Sequence, residues 1–262
     1  MLGFIGAGNM AQAIIRGAVS ARFCPAEEIM AFDTDTSKVR SLSEQYVICA
    51  AESAVQLAKD CETVVLAVKP NALEQVLNEI RGVASDNLIV SIAAGKQLSF
   101  YEKILGTSSR IVRVMPNINA VVGEAISAFC ANKNAADNDK ELVKALLGSF
   151  GEYIELPEER FSIFSAIGGC SPAFAYMFID AMARAAVKNG MSKQDALRVS
   201  AQAVLGSARM ILESENHPWE LVDRVCSPGG TTIEGVAALE ECGFQAAVAA
   251  AVEASFNKDK RL

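Results

Sequence analysis

Histidine is almost missing from this sequence of 262 residues, with His217 the only one. The seven cysteines, at positions 24, 49, 61, 130, 170, 226 and 242, form no CxxC pair and do not pair with His217 at a metal-like spacing. Neither a metal site nor a disulfide framework is therefore indicated, and the cysteines read as reduced thiols. His217 stands beside Pro218 and Trp219 without a partner serine, cysteine or carboxylate motif, which argues against nucleophilic catalysis through it. A basic stripe is lacking too. The net charge of −7 is spread along the chain, whereas phosphate backbones are gripped by clustered Lys and Arg, so nucleic acid is not an expected partner. Met1 leads straight into an apolar strand with no basic n-region and no A-x-A pattern, so no secretory signal is expected and the cytoplasm is the expected location. The uncharged run at 161–179, FSIFSAIGGCSPAFAYMFI, approaches the length of a bilayer span. Gly168, Gly169 and Pro172 are expected to break it, and Ser162, Ser165 and Ser171 add polarity, so no membrane span is predicted.

What is present points to a folded protein, since 51% of the residues are hydrophobic. Short β-rich runs, LGFIG, IMAFD, TVVLAV, NLIVSIAA and RIVRVMP, alternate with helical segments at 10–21, 71–80 and 97–105. Continuous apolar strands between helices predict a parallel sheet covered on both faces. AISAFCAN and GEYIELP extend it around a helix at 137–149. After LPEER the strand signals stop, so the expected domains are 1–157 and an all-helical 158–262. There, Ser171 is expected to cap a helix with Pro172 at its first position and Gly190 as its stop. That helix is apolar on nearly every face and needs cover from other helices or a second subunit. Ser192 with Asp195 has capping-box spacing for the next helix, and further helices are expected at 218–226, 232–242 and from Gln245.

Gly6-x-Gly8-x-x-Ala11 follows the first strand and opens the first helix. Gly6 permits a tight turn, Gly8 a close backbone approach to a pyrophosphate, and Ala11 close helix packing; Ala7, Asn9 and Met10 complete the turn. Asp33 ends the second strand, where it is either the ribose-binding acid of a dinucleotide fold or a cap or turn residue. Ligands in open α/β sheets lie at the carboxyl ends of strands. On that edge fall Ala67, Val68, Lys69 and Pro70, then Ala93, Ala94 and Gly95, then Met115, Pro116 and Asn117. Each group is a candidate cofactor contact, the plainer alternative being an ordinary strand-to-helix turn. CSPGGTTIEGVAALE at 226–240 combines a sharp Pro228-Gly229-Gly230 loop with capping-box spacing at Thr231 and Glu234. The amides of Gly230, Thr231 and Thr232 would be free at a helix N-terminus, a device that holds a carboxylate without a cationic side chain.

FIGAGNMAQAI, LAVKP, SIAAG, VMPN, GGCSPAFAY, VKNGM and SPGGTTIEGVAALE occur in the order and approximate spacing of the pyrroline-5-carboxylate reductases, and the chain resembles that family over essentially its whole length. The resemblance implies an α/β fold, with an N-terminal Rossmann-type, mostly parallel sheet (1–157) followed by an all-α substrate-binding and dimerisation domain (158–262). It implies reduction of L-1-pyrroline-5-carboxylate to L-proline with NADPH or NADH, no metal, and a homodimer or a larger ring of dimers. It further implies that Thr232 hydrogen-bonds the substrate ring nitrogen or nearby polar atoms. Ser227, Gly229, Gly230 and Thr231 would hold the carboxylate, and Lys69 would lie by the nicotinamide ribose.

Two positions depart from the family pattern. Asp33-Thr34 stands where many members carry Asn-Arg or Ser-Arg, and Ala51 where an Asn is frequent. An Asp repels a 2′-phosphate, so NADH is expected to serve at least as well as NADPH. A β-hydroxyacid dehydrogenase of the same plan would need a lysine on the long helix, which has Lys188 only near its end. A non-catalytic nucleotide-binding regulator would be expected to lose the SPGGTT loop, which is intact.

Overall fold

The computed structural model describes residues 1–261, and they divide into two compact units. The first comprises Met1–Gly169 with the residues from Asp259 onward, and the second is Cys170–Lys258. In the first unit the chain runs β1 (Leu2–Ile5), α1 (Asn9–Ser20), β2 (Ile29–Phe32), α2 (Thr36–Tyr46), β3 (Cys49–Ala50), α3 (Ala54–Asp60) and β4 (Thr63–Leu66). It continues with α4 (Leu73–Ile80), β5 (Leu88–Ser91), α5 (Leu98–Leu105), β6 (Arg110–Met115), β7 (Ala125–Ala131), α6 (Asp137–Gly148) and β8 (Gly151–Glu155). A short α7 (Phe161–Phe164) then passes into a π-helical turn, Ser165–Gly169.

The eight strands form one sheet in the order β3-β2-β1-β4-β5-β6-β7-β8. Neighbours are parallel except β6 and β7, whose antiparallel pairing sets Val112 opposite Ala131. Alternate side chains feed opposite faces, as the pleat requires. Phe4 joins Ile14, Ile15, Phe129 and Phe150 on one face, and Ile5 joins Leu57, Leu66, Leu77 and Tyr101 on the other. Two helices of this unit open on side-chain caps: Asp35 accepts the Ser37 N–H at 3.2 Å, and Ser53 accepts that of Gln56 at 3.1 Å. The two-residue β3 was not anticipated, because so short an edge strand carries no alternation to detect.

Compactness divides the chain after Gly169, beyond the expected boundary at Pro157. Phe161 packs with Ala128 and Cys130 of β7, and Glu158 bonds both Leu98 N–H and Arg113, which ties 158–169 to the sheet. The expected break at Gly168 and Gly169 is also absent; the backbone passes through them as the π turn into α8 (Ser171–Lys188). These glycines serve packing instead. A Cβ on Gly168 would lie 2.8 Å from the Phe164 ring, and one on Gly169 3.4 Å from Met115 Cε. Ser171 lies inside α8 rather than capping it, and Cys170 takes the cap position with no side-chain bond. Gly190 ends the helix as expected, with φ +96°.

The second unit continues with α9 (Lys193–Glu213), α10 (Pro218–Val225), α11 (Thr231–Glu241) and α12 (Phe244–Asp259). Ser192 accepts the Asp195 N–H at 3.1 Å and caps α9. His217 caps α10, its Nδ1 accepting the Trp219 N–H at 3.3 Å, which gives the only histidine a structural task. Few side chains are buried within this unit: Pro172 and Ala183 on α8, Ala196 and Ser200 on α9. Tyr176, Met177, Leu205, Met210 and Leu212 are exposed, the last at 85%. By length and composition, the helical run Glu158–Lys188 and the bent pair α11–α12 could each cross a membrane, a test that the core helix of a soluble protein also passes.

Candidate active site

Strand register builds the site. Ile5 of β1 pairs Leu66 of β4, Leu66 pairs Ser91 of β5, and Ser91 pairs Arg113 of β6. The next residues of these strands therefore share one rim at the carboxyl edge. β1 is also where the strand order turns, with β2 and β3 on one side and β4 to β6 on the other, the position at which open α/β sheets hold ligands.

Two cavities open there. One, of about 300 Å³, is lined by Gly8, Asn9 and Met10, by Ala67 through Pro70, by Ile92, Ala93 and Ala94, and by Arg113 through Pro116. The other, of about 470 Å³, is lined by Gly6, Gly8, Phe32, Asp33, Thr34 and Lys38 with residues of the Ala67–Glu79 segment. Gly8, Ala67, Val68 and Lys69 border both. The cleft thus has one end at the β4–β6 turns and the other at the end of β2.

The two glycines of the turn do different work. Gly6 has φ +104°, and a Cβ there would lie 2.6 Å from the Ala67 carbonyl oxygen, so the fold itself requires glycine. Its N–H donates to Phe32 O at 2.7 Å. A Cβ on Gly8 would meet no described atom within 4 Å, so the space in front of it is left open to the cavity. Gly8 caps α1, and the N–H groups of its first turn, Asn9, Met10 and Ala11, lack carbonyl partners within the helix. Helix dipole and amides together suit a pyrophosphate. A dinucleotide fits these residues.

Asp33 is the most constrained member of the cleft. Oδ2 accepts the Ala7 N–H at 2.8 Å, Oδ1 accepts the Asp35 N–H at 2.9 Å, and Lys38 Nζ lies 3.5 Å from Oδ1. Burial pushes the carboxyl pKa up, but the two amides and Lys38 outweigh it, leaving it below the ordinary value. Lys38 is also 3.8 Å from Asp35. Ala7 itself is fully buried, and its amide is spent on Asp33.

Gly95 lies outside both cavities, in a neighbouring cleft with Lys96 and Glu158. Asn117 is buried, its amide donating to Gly168 O at 2.9 Å and its Oδ1 accepting the Ile126 N–H at 3.3 Å. Ile92, Arg113 and Val114 line the first cavity without having been singled out in the sequence. Arg113 is only 8% exposed, paired with Glu158 at 3.0 Å and stacked 4.4 Å above the Phe161 ring.

In the helical unit, Ser227-Pro228-Gly229-Gly230 forms a tight turn. Gly229 has φ +65° after Pro228, and the Gly230 N–H donates to Ser227 O at 2.9 Å, as a type II turn demands. The expectation of a free Gly230 amide is therefore corrected. Gly230, not Thr231, takes the cap position of α11, and no side chain caps that helix. Thr231 and Thr232 are exposed in its first turn, where their N–H groups lack partners within the helix.

The model of a family described as pyrroline-5-carboxylate reductase dimerisation matches residues 158–262, and that of the coenzyme F420-dependent NADP oxidoreductases matches residues 1–95. The pyrroline-5-carboxylate reductase of Escherichia coli is 41% identical over 262 residues, covering 100% of this chain and 97% of the relative. The chain belongs to the pyrroline-5-carboxylate reductase family. Pyrroline-5-carboxylate reductase 3 of the mouse is 38% identical, covering 100% of this chain and 95% of its own. Among solved structures, the Coxiella burnetii pyrroline-5-carboxylate reductase aligns at TM-score 0.94 with 32% identity, covering 99% of this chain and 97% of that one. The Plasmodium falciparum pyrroline carboxylate reductase with NADP bound aligns at TM-score 0.89 with 34% identity, over the same shares of both chains.

Proposed function

We propose that this chain reduces L-1-pyrroline-5-carboxylate to L-proline with NADPH or NADH, the last step of proline synthesis. The observation that carries the reading is the open, glycine-floored cleft at the topological turn of the sheet, in a chain that matches the reductases along its whole length. When bound, the reduced nicotinamide supplies the hydride that adds to the C=N carbon. The chain's own part is placement. Gly8, Asn9 and Met10 hold the pyrophosphate by amides, and Lys69, bordering both ends of the cleft, takes the nicotinamide ribose. Small side chains at Ala93 and Ala94 leave room for the ring.

Ser227, Gly229 and Thr231, with the first-turn amides of α11, hold the substrate carboxylate without a cation, and Thr232 bonds the ring nitrogen side. The pyrroline nitrogen brings its own proton, which makes the C=N carbon electrophilic and leaves a secondary amine after hydride addition. No side-chain acid is needed, and orientation can supply much of the rate. Gly95 and Asn117 shape the turns that frame the cleft.

The helical domain from residue 158 is proposed to pair with a second copy, which would cover the exposed apolar face of α8 and α9. A ring of such dimers is a further step of the same assembly, and no nucleic acid or membrane partner is proposed. Seven free thiols suit a reducing compartment, here taken as the cytoplasm. Steady-state assays with pyrroline-5-carboxylate and each reduced nicotinamide test the function. Turnover yielding proline supports it; its absence with both cofactors refutes it.

A further inference from the structure

We infer that Tyr101 and Ser91 are positioning residues for the reduction, their buried hydroxyl pair fixing the loop that carries Ala93 and Ala94 into the smaller cavity. The inference rests on the reductase reading, in which those two alanines stand beside the nicotinamide ring. It goes further by assigning their placement to two side chains that are fully buried and do not line the cavity.

The strand ladder holds this loop only as far as Ile92. Ser91, the last residue of β5, pairs with Leu66 on one side and Arg113 on the other, and the Ile92 N–H still donates to Leu66 O at 3.1 Å. The next amide turns elsewhere. Ala93 N–H donates to Ser91 Oγ at 3.3 Å, a local serine-turn bond that takes the chain out of the strand just where Ile92, Ala93 and Ala94 line the cavity.

That bond is long, and it exists only while Ser91 keeps one of its staggered side-chain positions. Tyr101 selects the position. Its hydroxyl lies 2.6 Å from Ser91 Oγ, and its ring is held in the apolar cluster of Leu66, Leu77 and Ile111 on one face of the sheet. Burial pushes the phenol pKa above its ordinary value, so the hydroxyl keeps its proton and the pair stays neutral.

The far end of the loop is tied separately, by Glu158 accepting the Leu98 N–H at 2.8 Å, and Gly95, with φ +75°, turns the chain between the two ends. Losing the Ser91 end therefore shifts the loop without releasing α5. An alanine offers only a methyl group, so the wall that Ala93 and Ala94 present is set by the backbone alone. Hydride transfer is sensitive to such placement, since a shift of about 1 Å can cost about 100-fold in rate.

Full-length Tyr101→Phe keeps the packed ring and deletes the hydroxyl. With pyrroline-5-carboxylate and reduced nicotinamide it should show kcat lowered about tenfold and KM for pyrroline-5-carboxylate nearly unchanged. In the nucleotide-free protein, amide exchange should quicken within residues 92–97 and not in β5 or α5, with thermal melting little moved. Ser91→Ala removes the other hydroxyl and serves where Tyr101→Phe does not fold. Combining the two should lower kcat no further than Ser91→Ala does, since both act through one bond. Native kcat in both variants overturns the inference and leaves the reductase reading intact. A fall in kcat with faster exchange through the whole sheet also overturns it, because that marks a merely structural role. A native chain without turnover overturns the reading, and the positioning role with it.

Discussion

Arg113 and Glu158 meet in a 3.0 Å ion pair that joins β6 to the segment following β8. The same Glu158 oxygen also accepts the Leu98 N–H at 2.8 Å, at the start of α5. One carboxylate thus neutralises an arginine bordering the smaller cavity and caps the helix that follows the SIAAG turn. Removing it leaves a largely buried guanidinium without its counter-charge. Glu158→Ala is expected to destabilise the protein by about 1–3 kcal/mol, less than breaking a fully buried pair, because Glu158 is partly exposed. Glu158→Gln, which keeps an acceptor for Leu98, should cost less. Urea unfolding measures both, and equal losses would show that the charge is not what matters.

The Asp33 carboxyl predicts a stability change with acid. Its native pKa lies below the ordinary 3.8, so it binds a proton less readily folded than unfolded. Its stabilising contribution is complete above that value and is lost as pH falls through the native one. Native protein and Asp33→Asn should therefore differ by a constant amount of unfolding free energy from pH 7 down to about 5, with the gap closing as pH falls below about 4. Urea titrations across this range measure the gap; one that widens in acid would reverse the assigned sign.

Thr232→Ala is expected to lower turnover roughly tenfold or more, because a hydrogen bond to a buried polar ligand is worth about 1 to 3 kcal/mol. Thr231 follows the cap of α11 without a side-chain cap bond, so Thr231→Ala should leave helix stability almost unchanged and act, if at all, on substrate binding. Steady-state kinetics and thermal melts separate the two variants. Native kinetics in Thr232→Ala would remove that residue from the site.

Much of this was legible in the chain. Apolar runs between helical segments announce buried strands, and β1, β2, β4, β5 and β6 fall within the expected runs, as do β7, which pairs antiparallel with β6, and β8, which is mostly exposed. The glycine turn is legible because its residue types are set by local backbone geometry. What depends on register across strands is not. The strand end marks Met115 and Pro116, which do line the cavity, but Arg113, two residues inside β6 and paired with Ser91 of β5, enters the lining without any such signal. The bond from Ala7 to Asp33 spans 26 positions, and choosing between ribose acid and turn residue required seeing it do the second job. At Ser171 and Thr231 the cap rule selected a good capping side chain one residue too late, because the backbone enters each helix earlier. At Gly168 and Gly169 the helix-breaker rule failed because those glycines admit Phe164 and Met115 rather than ending a helix.

The central claim is a hydride moved from nicotinamide C4 to the imine carbon of a cyclic amino acid, with the chain supplying placement. The most direct measurement uses nicotinamide cofactor deuterated at the transferring C4 position, with pyrroline-5-carboxylate and the full-length protein, followed by mass spectrometry and NMR of the product. The account predicts L-proline carrying one deuterium on the ring carbon next to nitrogen and remote from the carboxylate. Proline without the label at that carbon, or cofactor oxidation without proline, would contradict it.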